Sequence, residues 1–194
     1  MKILTILITL LCTIGTTIAA EEPISPGPSD ERDKALIQSS FDGDLAKVQG
    51  LVKKGASIEA TGAKNRTALM WAAANGHTSV VEYLYGNGAD INAKGSDGQT
   101  ALMYATKISS APTMGFLLKN GAEVNVQSRK RGITALIIAA AIGDVKLVRL
   151  LLDHGADRDL AQKDGSMAVD WARRNGHSEV VALLEDQPAP ASNS

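Results

Sequence analysis

The sequence predicts an all-α solenoid of five stacked helix-turn-helix units with β-hairpin fingers, because three markers recur in one register. Gly-Ala pairs stand at Gly55-Ala56, Gly88-Ala89, Gly121-Ala122 and Gly155-Ala156, at intervals of 33, 33 and 34 residues. Thr-Ala-Leu begins at Thr67, Thr100 and Thr134, again 33 and 34 apart. Gly43, Gly76, Gly143 and Gly176 fit the same frame, with Ser109 standing in once. A fixed period of this length marks supersecondary units that each bury one face against the next.

Before the repeats, Met1-Lys2 and the apolar run "ILTILITLLCTIGTTIAA" end in Ala19-Ala20 ahead of Glu21-Glu22-Pro23. A positive start, an apolar centre and small residues at the end form the pattern of a secretory signal peptide, so residues 1–20 are expected to be removed. The run is short and threonine-rich for a membrane span, and no stable membrane insertion is expected after cleavage. Cys12 is the only cysteine, and it leaves with the signal. The mature chain then has no disulfide, cysteine-bound zinc or thiol nucleophile. Export without disulfides favours a bacterial periplasm over an animal secretion, so the expected location is periplasmic or secreted. Losing Lys2 leaves 19 basic against 21 acidic residues, a formal charge of −2, which is not the footprint of a nucleic-acid binder.

Residues 21–32, with "EEPISPGPSD", carry three prolines, a glycine and serines, and are expected to form a flexible linker. Residues 187–194 are read as a disordered tail for the same reason. The ordered domain is placed at 33–186, with units near 34–66, 67–99, 100–133, 134–166 and 167–186.

One unit can be built from its residues. Thr67 caps a short helix, Ala68 to Ala74, that Asn75-Gly76 stops. Thr78 is placed to cap a second helix, whose Val80, Val81 and Leu84 form one apolar stripe. Gly88 ends it, and Asp97-Gly98 signals a hairpin. Such short helices are marginal alone. Stacking places Leu69, Leu102 and Leu136 in one core row and Leu84, Leu117, Leu151 and Leu184 in another. In the first unit Lys34, Gln38, Ser39, Ser40 and Lys47, and in the last Arg173, Arg174 and Glu179, give the polar outer face that a terminal unit needs.

"TALMWAAANGHTSVVEYLYGNGADINAK", "DGQTALMYAT", "GITALIIAAAIGDVKLVRLLLDHGAD" and "DGSMAVDWARRNGHSEVVALL" resemble the ankyrin repeat over about 150 of the 194 residues. There are departures. The family's proline after the threonine is alanine throughout, and its histidine two residues later becomes Met70, Met103, Ile137 and Asp170. The third unit lacks the Gly-His turn and reads "ISSAPTMGFLL", with Ser110 as helix cap and Pro112 in the first turn.

Nothing in the sequence assembles catalytic chemistry. His77 and His177 occupy the Gly-His turn, and His154 precedes Gly155. Their repeat intervals argue against a metal site, and no cofactor is expected. There is no HExxH, GxSxG or phosphate loop. Asp90, Asp97, Asp157 and Asp164 are turn residues, and Asp170 is explained as an end-unit position. Asn65-Arg66-Thr67 matches a glycosylation sequon, but Thr67 is better explained as a cap. The chain is therefore expected not to be an enzyme.

The resemblance implies a partner protein bound by finger tips and inner helices on the concave side. By position, the first finger offers Lys64, Asn65 and Arg66, and the second Ser96, Asp97 and Gln99. The third, one residue longer, offers Arg129, Lys130, Arg131 and Ile133; the fourth offers Lys163, Asp164 and Ser166. Inner-helix candidates are Trp71, Tyr104, Lys107, Ile108, Ile142, Trp171 and Arg174. Trp71, Tyr104 and Trp171 share one repeat position with Ile138. They are either interface anchors or packing between units. The "RKR" run is either a site for an acidic surface or a solvated charge run. The expectation is a monomeric binding module similar to small exported bacterial ankyrin-repeat proteins. It would support a periplasmic protein such as an oxidative-stress enzyme. The alternatives are an immunity protein that neutralises a delivered toxin and a host-directed effector.

Overall fold

The computed structural model describes residues 28–185. Residues 1–20, expected from the sequence to be a signal peptide, residues 21–27 and residues 186–194 lie outside them. Among the described residues ten α-helices form: α1 (Pro28–Asp42), α2 (Leu45–Lys53), α3 (Ala68–Ala74), α4 (Thr78–Gly86), α5 (Ala101–Lys107), α6 (Ala111–Lys119), α7 (Ala135–Ile142), α8 (Val145–Asp153), α9 (Ala168–Arg174) and α10 (Ser178–Glu185). Residues 28–32, assigned to the linker from composition, belong instead to α1. Pro28 opens that helix, where its missing N–H costs nothing, and Asp30 and Glu31 suit the helix's positive end.

Consecutive helices pack as pairs. The odd-numbered helices form one continuous row, and the even-numbered ones a second. Both rows of leucines expected from the sequence are buried. Each buried leucine contributes about 1.5–3 kcal/mol. Fully enclosed Ala72, Ala105, Ala139 and Ala172 let the odd helices approach closely. Neighbours in the even row touch most sparsely between α6 and α8.

The Gly-Ala markers are helix stops. Gly55, Gly88, Gly121 and Gly155 take left-handed φ of 81–93°. Each following alanine N–H then bonds back at 3.0 Å to a carbonyl in the helix it ends, as Ala56 does to Leu51. This satisfies carbonyls that the helix end would orphan.

Capping follows the sequence in part. Thr67 Oγ1 accepts from Met70 N at 3.3 Å, and Thr134 Oγ1 from Ile137 N at 3.2 Å. Thr100 makes no such bond, and its hydroxyl is buried without a partner. Thr78 is the first residue of α4 rather than its cap, and its hydroxyl meets that of Thr113 at 2.8 Å. Ser110 does hold the cap position of α6, but its hydroxyl also turns to Thr113, at 2.9 Å. Ser39 and Ser40, expected on the polar outer face, are buried, because they lie on the side of α1 that packs onto the stack.

The fingers are not β-hairpins: no strand forms among the described residues, and pairing is limited to an isolated bridge between Thr61 and Thr67. Each finger is a tight turn closed across its base, by Gly62 N to Arg66 O (2.9 Å), Gly95 N to Gln99 O (3.0 Å), Ser128 N to Ile133 O (2.9 Å) and Gln162 N to Ser166 O (2.8 Å). So short a closure cannot extend into a ladder. Neighbouring fingers are tied to each other instead. Ser96 N donates to Lys64 O, and Arg129 N to Asp97 O, both at 2.8 Å; Lys163 N donates to Arg131 O at 3.0 Å.

Candidate protein-binding face

The inner face is built from the odd helices and the fingers at their N-terminal ends. Trp71, Tyr104, Ile138 and Trp171 project from equivalent turns of α3, α5, α7 and α9. The structure divides them. Arg66 places its guanidinium 4.8 Å from the Trp71 ring centre and 4.6 Å from that of Tyr104. Lys107 covers Tyr104 at 5.0 Å. The stack bridges α3 and α5 through charge on aromatic faces. Tyr104 is only 4% exposed, so it is a packing residue between helices. Burial raises its phenol pKa, and its hydroxyl points at Asp97 Oδ2, 3.4 Å away. Asp97 is also bound by Gln99, whose backbone N and Nε2 each donate to it at 3.0 Å. Gln99 Oε1 in turn accepts from Lys107 Nζ. Burial lowers the Lys107 ammonium pKa, with Arg66 and Lys64 adding repulsion and Asp97 opposing them.

Trp71 is half-buried and meets Phe41 edge-on at 5.6 Å. Phe41, a residue the sequence did not single out, is 43% exposed and shares a shallow cleft with Trp71, Ile37, Gln38 and Ala63. Lys64 is exposed at the first finger with a left-handed φ of 62°, and it faces Arg129 and Lys130 across a cleft with Ser96 and Asp97.

A third cleft, of about 310 Å³, opens between α7 and α9. Ile137, Ile138, Ala141, Ile142 and Trp171 form its apolar floor and wall, and Ile133 closes the finger side. Lys107 and Arg131 stand at its rim, and Arg174 lies 5.5 Å from the Trp171 ring centre. Ile142 is 41% exposed, and Ile108, at the same repeat position one helix pair earlier, is 45% exposed. Gln162, which the sequence also did not single out, lines the cleft while only 6% exposed, and its Nε2 lacks a hydrogen-bond partner. Its repeat frame falls in a turn and gave no cue to burial.

The histidines of the Gly-His turns have structural work. His77 Nε2 lies 3.0 Å from Phe41 O, and His177 Nε2 lies 3.2 Å from Ala141 O, each joining adjacent helix pairs. Asn92 and Asn125 do the same at the opposite edge, accepting from Glu123 N and Asp157 N at 2.8 Å. Asp170 Oδ2 accepts from Met167 N at 2.9 Å, securing the start of α9, and Oδ1 pairs with Arg173. Among the described residues, no group of three or more His, Cys, Asp or Glu could hold a metal ion, and no helix is long and apolar enough to cross a membrane.

The family model for ankyrin repeats in three copies matches residues 36–128 and 109–191, and the chain belongs to that family. It is similar to a Notch-regulated ankyrin repeat-containing protein of Xenopus tropicalis, 38% identical over 63 residues that cover 32% of this chain and 55% of that one. Potassium channel AKT1 of Oryza sativa subsp. indica is 33% identical over 67 residues, 34% of this chain and 7% of the channel. Serine/threonine-protein kinase TNNI3K of Mus musculus is 35% identical over 68 residues, 30% of this chain and 8% of the kinase. The chain thus spans about half of the first relative and under a tenth of the other two. Ankyrin repeats are typically non-enzymatic protein-binding units.

Proposed function

We propose that the chain is an exported, monomeric module of five ankyrin repeats that binds one partner protein through its inner helices and fingers. The observation that carries this is the juxtaposition on the odd-helix side of exposed Ile108 and Ile142, the half-buried Trp171 and the basic third finger. Apolar and aromatic anchors with arginine at the rim are the composition of interface centres. The signal-like start motivates a periplasmic setting, where the partner would be a resident protein such as an oxidative-stress enzyme.

The test is an affinity pull-down from periplasmic extract with residues 21–194. A variant carrying Ile108→Ser, Ile142→Ser and Arg131→Glu, all at exposed side chains, serves as control. One stoichiometric partner, lost with the folded variant, supports the proposal. Retention by the variant moves the interface off this face. Recovery of nothing from the periplasm, with capture of a delivered toxin or a host protein, replaces the resident partner with the immunity or effector role.

A further inference from the structure

We infer that the cleft between α7 and α9 takes a large apolar side chain from an acidic segment of the partner, with the segment's carboxylates lying on Lys107 and Arg131. This rests on the protein-binding proposal and names the chemistry of the partner.

The cleft volume of about 310 Å³ suits one large side chain, not a folded element. Its floor is aliphatic and aromatic, which favours an apolar side chain over a charged one. The rim is different in kind: Lys107 and Arg131 are its charged residues, and both are cations.

Basic side chains outnumber acidic ones around the cleft. Arg129, Lys130 and Lys163 continue the basic surface along the third and fourth fingers, all exposed. The nearby carboxylates are already engaged. Asp97 is held by Gln99 and Tyr104, and Asp164 Oδ1 accepts from Ser166 N at 2.9 Å. The Ser166 bonds are also the main cause of the lowered Asp164 pKa, with Arg174 adding attraction. The chain as a whole has a formal charge of −1, so this basic surface is offset elsewhere. Asp90, Glu123, Asp157 and Asp159 are exposed in the loops that follow the even helices. An anionic segment is therefore steered to the fingers and repelled from those loops.

Two groups in the cleft lack what an acidic segment supplies. Lys107 is partly desolvated, which disfavours its charge, and a carboxylate alongside would restore it. Gln162 offers an unpartnered buried amide donor beside the cleft floor. An acceptor on the incoming segment would satisfy it after a small rotation of the amide. A basic or neutral segment would not restore the Lys107 charge.

The test uses fluorescein-labelled short peptides of one length on the whole mature protein, read by polarisation. One peptide has a central Leu-Phe pair flanked by glutamates, a second has the same pair flanked by lysines, and a third has glutamates around Ala-Ala. The expectation is binding of the first at least about tenfold tighter than either other, weakening as salt rises. In Lys107→Glu with Arg131→Glu the preference between the first two peptides should reverse. In Ile142→Ser the first peptide should lose about tenfold while salt dependence persists. Equal binding of the glutamate and lysine peptides, or no binding of any, overturns the inference. So does binding of the first that the cleft variants leave intact. Capture of a natural partner through a basic or neutral segment would leave the binding-module proposal standing and remove this one.

Discussion

Ser109 is the position whose replacement tests how the helix pairs are fitted together. At the turn between paired helices, Gly43, Gly76, Gly143 and Gly176 have φ of 74–84°, and Ser109 has φ of 56°. A side chain costs about 1–2 kcal/mol in that left-handed region, whereas glycine loses about 0.5–1 kcal/mol more chain entropy on folding. Ser109 also keeps its backbone bonds, N to Thr106 O and O from Ala111 N, both 3.0 Å, whatever its side chain. Ser109→Gly should therefore stabilise by about 0.5–1 kcal/mol. For a domain of about 160 residues this raises the melting temperature by about 2–3 °C. The reverse change is not symmetric. A Cβ on Gly143 would lie 2.4 Å from the His177 ring, and one on Gly43 would lie 2.4 Å from His77. After Ser109 the next pair carries Asp144 where those pairs carry histidine. Asp144 turns its carboxylate to cap α8, accepting from Lys146 N at 3.0 Å and Leu147 N at 3.2 Å. A side chain is tolerated at 109 because no imidazole must fit there. Gly143→Ala should then cost about 2–3 kcal/mol, from left-handed strain and loss of the His177 contact to Ala141 O. Urea unfolding followed by circular dichroism measures both. A destabilised Ser109→Gly, or a Gly143→Ala within about 0.5 kcal/mol of the parent, would refute the reasoning.

Three further outcomes follow from the packing. Gly115 sits inside α6 with open space where a Cβ would go, so Gly115→Ala should add about 0.5–1 kcal/mol, read as a shift in the unfolding midpoint. Arg66→Ala removes the cation between Trp71 and Tyr104. It should cost about 1–2 kcal/mol in the same assay and blue-shift or brighten tryptophan emission as the Trp71 environment changes. Asp44 caps α2, and its pKa is lowered chiefly by its side-chain bond to Lys47 and then by the Lys47 backbone N–H. A depressed carboxylate stabilises above its unfolded pKa, and that stability is lost as pH falls through the folded value. Asp44→Asn should thus lower stability near neutral pH and converge with the parent in acid; a constant gap across that range would show that the charge plays no part.

The period of the glycines and threonines determines the ankyrin-repeat class by itself. Leu69, Leu102 and Leu136 are buried where that period puts them, since each stacked unit must hide the same face. The Gly-Ala pairs were equally legible, because a left-handed stop followed by a small buried residue is a local requirement. Composition misjudged residues 28–32, where prolines and serines suggest a linker but Pro28 fits a first helical turn. Hairpin signals in the fingers likewise gave turns, because bonds between fingers took the place of strand pairing within them.

The inner face was only partly legible. Trp71, Tyr104 and Trp171 share one sequence position, but their surroundings belong to neighbouring pairs. Arg66 reaches between the first two, which makes Tyr104 a packing residue, while Trp171 looks into a cleft lined by α7. Phe41 and Gln162 gave no sequence signal, since exposure of one and burial of the other depend on what stacks beside them. Periodicity is a property of the chain and fixes which residues face the next repeat. The clefts arise from differences between adjacent repeats, so only the stacked structure decides where they open and which charges surround them.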